Sequence, residues 1–312
     1  MANNPPKRQR VPVHGVLLLD KHAGASSNDV LIKAKRLLNA QKAGHTGTLD
    51  PFATGLLPLC FGEATKFAQD LLEADKTYET VLHLGRTTTT GDTEGEVMAE
   101  SAVNVSLQDI EAALARFRGP IQQVPPMYSA LKRDGKPLYE YARAGITLER
   151  EARDVIIHEL ELLAYEAPFL SLRVSCSKGT YVRVLGEDIG AVLGCGAHLN
   201  ALRRTQVAQL SIDDAITLDV LADLPEEQRA PALAPVDALL SSFEAVSLPE
   251  FFAKRFSQGQ RLSLEKEGLT VPAAAGRVRV YNEVNGALLG TAQWHAYGVL
   301  APERLMALAT TN

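Results

Sequence analysis

The sequence predicts an α+β fold, and three observations support this prediction. Stretches typical of helices do not alternate regularly with stretches typical of strands over the 312 residues, which disfavours a doubly wound parallel sheet. No internal repeat is visible in the chain. After about Val246 the pattern changes to short strands joined by turns. We therefore place a small β-rich domain at residues 247–312, behind a larger domain at residues 13–246.

The elements of the larger domain follow from apolar runs and capping residues. Residues Gly15–Asp20 form an apolar run that ends in a polar turn, which predicts a buried strand. A helix is expected at Asp29–Asn39, with Ser27 or Asn28 as its N-cap. Residues Gly44–Thr65 are rich in glycine and threonine and are interpreted as a loop. The remaining elements predicted are, in order, a strand at Tyr78–Leu84, a turn at 87–97 that leads into another strand, a helix at Leu107–Phe117, an exposed basic and aromatic insertion at Gln123–Glu151, strands at Val155–Leu163 and Phe169–Cys176, and a helix at Val184–Leu193 ended by Gly194.

Charge is distributed unevenly along the chain, which leaves room for a nucleic-acid partner despite a net charge of −5. Between Val207 and Glu250, nine acidic residues stand against Arg229 alone, and this net charge of −8 leaves +3 for the rest. RNA affinity depends on the charge of one face rather than on the total. Ordinary solvated charge explains the same counts equally well.

The composition also bears on where the protein acts. No apolar run reaches the ~20 residues that a membrane-spanning helix needs. Residues 1–12 are polar and basic, lack the apolar stretch of a signal peptide, and are interpreted as a flexible tail. The cysteines Cys60, Cys176 and Cys195 form no CxxC pair, which favours reduced thiols in a cytoplasmic protein and supplies no metal-type spacing.

The segment Gly44–Gly55 (GHTGTLDPFATG) is the strongest sign of chemistry. Its glycines permit close approach of a bulky ligand. The proline after Asp50 restricts that residue to an extended conformation, so its carboxylate is presented from a stiff loop. The hydroxyls of Thr46, Thr48 and Thr54 can orient the carboxylate. A turn whose aspartate bonds its own backbone would have the same spacing.

A second segment, Ser175–Arg183 (SCSKGTYVR), runs from a strand end into a helix start. A carboxylate that attacks carbon should be ionised, and a nearby guanidinium such as that of Arg183 lowers its pKa. A lone arginine at a helix terminus is, however, more often a surface residue. Tyr78 begins a strand and can stack on an unpaired base, although a lone tyrosine is more often part of a core.

Seven segments then occur in one order: DKHAGASSND (20–29), GHTGTLDPFATGLLPLCFGEATK (44–66), KTYE (76–79), LGRTTTTGDTEG (84–95), PPMYSALK (125–132), CSKGTYVR (176–183) and GCGAHLNALRR (194–204). Together they resemble the TruB family, the bacterial tRNA pseudouridine synthases that modify the T-loop uridine at tRNA position 55. The resemblance covers nearly the whole chain. It implies a pseudouridine synthase fold, with a mixed, mainly antiparallel sheet flanked by helices and loops, and a small C-terminal β-barrel that looks like an RNA-binding PUA domain.

The resemblance also implies roles for individual residues. Asp50 would be the nucleophile, Arg183 its ion-pair partner, and Tyr78 the residue that stacks on the target ring and takes part in proton removal. The substrate-binding set would be His45, which helps to displace or bind the flipped nucleotide, Tyr181 and Leu202, which line the uracil pocket, and Lys21, which buttresses the active-site loop. The insertion at residues 124–152 would grip the T-loop.

These assignments imply a monomer that acts on the tRNA T-arm without a protein partner, cofactor or metal. Two positions depart from the family pattern, since His22 stands where proline is usual and Thr89 where aspartate is common. A protein that only binds or folds RNA on the same scaffold is the alternative, and it would need lysines and arginines but not Asp50. A phosphate-binding hydrolase is disfavoured, because the chain has no GxxxxGK[ST] or HExxH pattern.

Overall fold

The computed structural model describes residues 9–307, and a mixed nine-stranded sheet forms their larger part. The strands between residues 15 and 211 are, in chain order, β1 (Gly15–Lys21), β2 (Ala43–His45), β3 (Thr54–Phe61), β4 (Lys76–Leu84), β5 (Arg86–Thr88), β6 (Val97–Glu100), β7 (Gly119–Gln123), β8 (Lys132–Arg133), β9 (Lys136–Pro137), β10 (Arg153–Glu166), β11 (Phe169–Cys176), β12 (Ala197–Val207) and β13 (Leu210–Ser211). The sheet order is β1-β3-β12-β4-β11-β10-β7, with β2 beside β3 and β13 beside β12, while β5–β6 and β8–β9 form separate hairpins.

Helices lie beside this sheet and in the C-terminal part. They are α1 (Ser27–Leu37), α2 (Ala68–Leu72), α3 (Leu107–Ala115), α4 (Leu138–Arg143), α5 (Val182–Val192), α6 (Leu218–Asp223), α7 (Glu226–Arg229) and α8 (Glu250–Ser257), with short 3₁₀ turns at Gly62–Lys66, Ile212–Asp214 and Val236–Leu240. No helix within residues 9–307 is long and apolar enough to cross a bilayer.

Helix α1 begins earlier and ends earlier than predicted. Its N-cap is Ser26 rather than Ser27 or Asn28. The Ser26 hydroxyl accepts from the Asp29 N–H at 3.1 Å, and the Asp29 carboxylate accepts from the Ser26 N–H at 3.1 Å. This reciprocal capping box satisfies two backbone donors and fixes the start of the helix. The predicted last residue, Asn39, has a φ of 49° and lies outside the helix.

The prediction of a continuous loop at Gly44–Thr65 is wrong, because the segment contains all of β3. Seven of the eight β3 residues are buried, so the strand lacks the alternation that marks a half-exposed strand. It pairs antiparallel with β1 and β2, and parallel with β12. The irregular part is therefore only the stretch 46–53, between β2 and β3.

The predicted elements also omit β12, which lies between β3 and β4 and joins the two halves of the sheet. Its pairing with β3 is short, with Arg203 opposite Thr54 and Arg204 opposite Gly55. Gly55 has a φ of +101°, and a Cβ atom there would lie 2.3 Å from the Arg204 carbonyl oxygen. Only glycine permits this approach, which sets β12 beside the loop 46–53.

A second, five-stranded sheet forms the C-terminal part, and its first strand begins at Glu244, before the boundary that the sequence predicts at residue 247. Its strands are β14 (Glu244–Leu248), β15 (Leu262–Ser263), β16 (Gly276–Asn282), β17 (Leu288–His295) and β18 (Val299–Leu305), in the order β14-β16-β17-β18-β15. Phe256 and Trp294 lie in its separate core. An ion pair between Arg277 and Asp70 links it to the larger sheet's α2.

The predicted N-terminal tail is described only from residue 9 onward, and residues 1–8 lie outside the described residues. Within the described part, the Val11 N–H donates to the Asn39 carbonyl at 2.9 Å, and Val11 forms a bridge with Ala40. The end of the predicted tail therefore packs against the end of α1.

Candidate active site

The loop between β2 and β3 carries Asp50, and it is tethered on both sides of that residue. Ser27 in α1 exchanges two hydrogen bonds with Leu49: its hydroxyl accepts from the Leu49 N–H at 2.8 Å and donates to the Leu49 carbonyl at 3.0 Å. The Pro51 carbonyl accepts from Lys21 Nζ at 3.2 Å. These contacts agree with the stiff loop that the sequence predicts.

The threonine hydroxyls of the loop do not orient the Asp50 carboxylate, so that prediction is wrong. Thr46 Oγ1 donates to the Pro58 carbonyl at 3.4 Å. Thr54 Oγ1 donates to the carbonyl of residue 202 at 3.5 Å, across to β12. Within residues 9–307, the hydroxyls of Thr46, Thr48 and Thr54 make no hydrogen bond to the Asp50 carboxylate. The hydroxyls of Thr46 and Thr54 instead contact backbone carbonyls at the two ends of the loop.

Arg183, in the first turn of α5, is the partner of the Asp50 carboxylate. Its Nε lies 3.0 Å from Asp50 Oδ2, and its side chain is 5% exposed, against 35% for Asp50. Other nitrogens of the guanidinium donate to the carbonyls of Thr90 at 3.0 Å and Tyr128 at 2.6 Å. Nη1 also lies 3.5 Å from Oδ2 of the buried Asp92. The guanidinium therefore has a fixed orientation toward Asp50.

The electrostatics of the pair differ from the prediction of a lowered pKa. Although a third of the side chain is exposed, burial has the largest effect on the pKa of Asp50 and raises it. The Arg183 guanidinium acts in the predicted direction and lowers that pKa, but the nearby Asp92 carboxylate raises it further. The net pKa of Asp50 is raised, so Arg183 limits a burial effect rather than producing a strongly acidic carboxyl group.

Tyr78 and Leu202 lie on neighbouring strands, β4 and β12, and both are buried. Tyr78 stands opposite Arg204 in the register of these strands. Burial raises the pKa of Tyr78, while Arg204 lowers it and the charge of Asp50 raises it. The charge of Asp50 therefore acts on the Tyr78 hydroxyl.

Tyr181 is the residue before α5, two positions from Arg183, and Gln123 holds its backbone. The Tyr181 N–H donates to Gln123 Oε1 at 2.9 Å, and Gln123 Nε2 donates to the Tyr181 carbonyl at 3.3 Å. Gln123 is 3% exposed and ends β7, where the insertion begins. Burial raises the pKa of Tyr181, and the charge of Asp50 adds to this effect.

His45 and Lys21 flank the loop from β2 and β1. The Nδ1 atom of His45 is buried and has no hydrogen-bond partner within residues 9–307. Lys21 Nζ donates to the carbonyls of His22 at 2.9 Å and Ala25 at 2.7 Å, besides that of Pro51. Burial lowers the pKa of Lys21 to about 8. All three Lys21 contacts are to backbone, and the one to Pro51 lies in the loop that carries Asp50.

Comparison with known protein families covers almost the whole described chain. Residues 35–182 match the family described as TruB family pseudouridylate synthase (N terminal domain). Residues 183–241 match the tRNA pseudouridylate synthase B C-terminal domain, and residues 245–306 match Pseudouridine synthase II TruB, C-terminal. The chain belongs to the TruB family of pseudouridylate synthases.

Curated relatives match this TruB-family chain over nearly its full length. A protein of Ralstonia nicotianae named tRNA pseudouridine synthase B is 61% identical over 309 residues, which cover 97% of this chain and 97% of that protein. A protein of the same name from Burkholderia lata is 62% identical over 306 residues, covering 97% and 94%. The predicted enzyme class, a tRNA pseudouridine synthase and hence an isomerase, is confirmed.

Solved structures confirm the fold predicted for this TruB-family enzyme. A chain in the structure of an H/ACA RNP bound to a substrate RNA containing 2′-deoxyuridine superimposes with a TM-score of 0.74 at 24% identity, over 95% of this chain and 86% of that one. A chain in the crystal structure of a Cbf5-Nop10-Gar1 complex gives a TM-score of 0.73 at 26% identity, over 97% and 91%.

Sequence reasoning missed four residues that this TruB-family site brings together. They are Asp92 and Tyr128, which contact Arg183, Gln123, which holds Tyr181, and Arg204, which lies opposite Tyr78. Asp92, Tyr128 and Arg204 lie inside segments that carry the family resemblance, so the sequence marked their neighbourhoods as part of the site. A single sequence does not reveal which side chain of such a segment faces the site.

Proposed function

We propose that this enzyme isomerises the uridine at position 55 in the T-loop of tRNA to pseudouridine, with the Asp50 carboxylate as its nucleophile. The Asp50–Arg183 pair carries the proposal: a carboxylate on a tethered loop lies 3.0 Å from a buried guanidinium. A planar guanidinium with several fixed partners aims a carboxylate as well as pairing with its charge. Family membership supports pseudouridine formation, and the names of the relatives support tRNA as the substrate.

The reaction is an isomerisation and needs a nucleophile rather than an oxidant. The N1–C1′ bond breaks, the uracil turns, and C5 bonds to C1′, while C5 loses one proton and N1 gains one. The carboxylate can attack C1′, add to C6, or remove a ribose proton to give a glycal. Each route needs the ionised form of Asp50. Arg183 favours that form against burial, which raises the pKa of Asp50.

The target uridine must leave its stack before the carboxylate can reach it, at a cost of about a few kcal/mol. Tyr78 and Tyr181 offer aromatic faces within the electrostatic reach of Asp50, and Leu202 offers an apolar wall. We assign binding of the displaced nucleotide to His45, which is half-buried at the end of β2, where the loop begins. We assign the removal of the C5 proton to Tyr78.

The insertion at residues 124–152 is proposed to hold the T-loop. Lys136 Nζ lies 4.7 Å from the centre of the Tyr141 ring, and the Arg143 guanidinium carbon lies 5.3 Å from that of Tyr139. Positive charge beside aromatic rings suits phosphates and unpaired bases together. The Tyr128 carbonyl, in the same insertion, accepts from Arg183. Contacts made by the insertion can thereby reach the catalytic pair.

We propose a division of roles between residues 13–246, which perform the reaction, and residues 247–312, which form a PUA-like RNA-binding domain. All residues assigned to the reaction precede position 247. We also propose that a single chain performs the reaction without a protein partner, cofactor or metal. The three free, buried cysteines support the cytoplasm as the place of this reaction.

The test of this function is Asp50→Asn, with Asp219→Asn as a matched control at an exposed position of α6. We expect Asp50→Asn to lower the single-turnover rate on T-arm RNA by on the order of 10⁴-fold or more, since it removes a nucleophile, with RNA affinity within a few-fold of wild type. Asp219→Asn should match wild type in both. Pseudouridine formation by Asp50→Asn above trace rate would reject the nucleophile. If wild type folded tRNA but formed no pseudouridine, that result would favour the RNA-binding alternative.

A further inference from the structure

Arg204, on β12, is a buried cation with no acidic partner in the part of the chain that the structure describes. Its side chain is among the largest that are fully buried, at 1% exposure. Within residues 9–307, no carboxylate oxygen lies within 4.0 Å of the Arg204 guanidinium nitrogens. The similarly buried Arg183, in contrast, pairs with Asp50 and Asp92. Burying a charge without a counter-charge is costly, so the contacts of this guanidinium must offset that cost.

The contacts of Arg204 join three parts of the site. Its Nε donates to the Leu56 carbonyl of β3 at 2.7 Å. Its Nη2 donates to the carbonyl of Gly47, three residues before Asp50, at 3.4 Å. Its backbone stands opposite Tyr78 of β4, and residues that stand opposite each other in paired strands have neighbouring side chains. The side chain of Arg204 thus links β3 to the loop that carries the nucleophile, and its backbone pairing places it beside Tyr78 of β4.

The positive charge of Arg204 acts on the groups around it. Burial raises the pKa of Tyr78, and Arg204 lowers it. Burial lowers the pKa of His45, and Arg204 lowers it further. The other titratable groups that face this place from adjoining elements are Lys21 on β1, Lys76 and Asp75 at the start of β4, Cys176 on β11, and Asp50 and Glu94 in the loops.

We propose, building on the function proposed above, that Arg204 is a positioning residue for the reaction: it holds the Gly47 turn against β3 and keeps a positive charge beside the Tyr78 hydroxyl. Positive charge favours the ionised hydroxyl, which is the form that accepts a proton. Once C5 is bonded to C1′, its C–H bond breaks and the proton passes to the Tyr78 oxygen. The electron pair of that bond restores the C5=C6 double bond, and N1 receives the displaced electrons and takes a proton from water.

The test compares Arg204→Gln and Arg204→Lys with Arg203→Gln, a matched control. Arg203 is the adjacent residue of β12, its side chain is 42% exposed, and it pairs with Asp20 at 2.7 Å. Single-turnover rates are measured against pH, on T-arm RNA carrying either uridine or 5-deuterouridine at the target position. Thermal unfolding and RNA affinity are measured for every variant.

We expect Arg204→Gln to lower the rate by about 10²-fold, the scale of proton-transfer catalysis. Its pH–rate profile should move to higher pH, because Tyr78 ionises less readily without the cation. Its deuterium isotope effect should exceed that of wild type, because removal of the C5 proton becomes slow. Arg204→Lys should recover part of the rate, and Arg203→Gln should match wild type in profile and isotope effect.

A double-mutant cycle with Tyr78→Phe identifies the group through which Arg204 acts. Losses that are clearly less than additive support the proposal, since both variants then remove one function. Additive losses with an unchanged isotope effect overturn it, and so does loss of the fold in both Arg204 variants, which would make the residue part of the scaffold alone. Asp50→Asn is measured beside them. Its inactivity, together with wild-type behaviour of the Arg204 variants, rejects the role of Arg204 and leaves the proposed function standing.

Discussion

The two sides of the site hold their arginines in different ways. On the helix side, Arg183 is held by carbonyls and carboxylates from the Asp50 loop, the turn at 84–95 and the insertion at 124–152. On the strand side, Arg204 extends from β12 and contacts two backbone carbonyls, one of them in the adjoining β3. The first arrangement depends on loops that are distant in sequence, and the second is part of the sheet.

This difference suggests a division of roles within the site. At Arg203 and Arg204, β12 is paired with β3 on one edge and with β4 on the other, which holds the backbone of Arg204 whether or not substrate is present. The helix side includes a segment that is proposed to contact RNA, so its geometry can respond to the substrate. We therefore expect loss of Arg183 to affect catalysis more than loss of Arg204, and we expect loss of a single neutral hydrogen bond to matter more on the helix side than on the strand side.

The largest effect is expected for Arg183. Arg183→Met removes the charge and leaves Asp50 and Asp92 without their partner, which should lower stability by about 3–5 kcal/mol. We expect the rate to fall by roughly 10²- to 10³-fold or more, the scale for loss of a fixed charged donor in an active site. Arg183→Lys keeps the charge but loses the planar fork, and it should retain more activity. Removing a cation that lowers the pKa of Asp50 raises that pKa further. The acid limb of the Arg183→Met profile should therefore move to higher pH.

Single-turnover rate against pH on saturating T-arm RNA measures this effect for wild type and both variants. Equal losses for Arg183→Met and Arg183→Lys, with an unchanged acid limb, would mean that Arg183 contacts RNA rather than Asp50. The comparison between the two sides would then lose its basis.

An intermediate effect is expected for Gln123, which holds Tyr181 from the helix side. Gln123→Leu removes two hydrogen bonds to the Tyr181 backbone, each contributing about 0.5–1.5 kcal/mol, so the rate should fall by roughly 10-fold. The neighbouring Gln122→Leu is the matched control, because Gln122 is exposed and its side chain donates to Asp154 Oδ1, at 3.0 Å, rather than to Tyr181. Single-turnover rates and RNA affinities measure both. Similar losses in the two variants would show that β7 acts as a whole rather than through Gln123.

The smallest effect is expected for Thr54 on the strand side. Its hydroxyl makes one long hydrogen bond, 3.5 Å, to the carbonyl of Leu202, and the pairing of β3 with β12 does not depend on it. Thr54→Val should change the single-turnover rate by less than about 3-fold, since a long, partly exposed bond contributes at the low end of the usual range. A loss as large as that of Gln123→Leu would show that the strand side is as sensitive as the helix side.

Elements with a clear pattern were predictable from the sequence, and those without one were not. The predicted strand at Phe169–Cys176 coincides with β11, because its residues alternate between buried and partly exposed positions. The strand β3 was interpreted as loop, because burial on both faces removes the alternation and because the segment 44–65 around it is rich in glycine and threonine. The cap of α1 was placed one or two residues too late, because Ser26, Ser27 and Asn28 are all good N-cap residues until the Asp29 contact is known.

The sequence by itself determined the family, the α+β class and the candidate set around Asp50, because these depend on residue identity and order along the chain. The tertiary structure decided which of these residues meet. Arg183 follows Asp50 by 133 positions, and their 3.0 Å contact arises only when α5 packs beside the loop. The raised pKa of Asp50 and the burial of Arg204 were equally beyond reach, because desolvation depends on everything that surrounds a group and not on its neighbours in sequence.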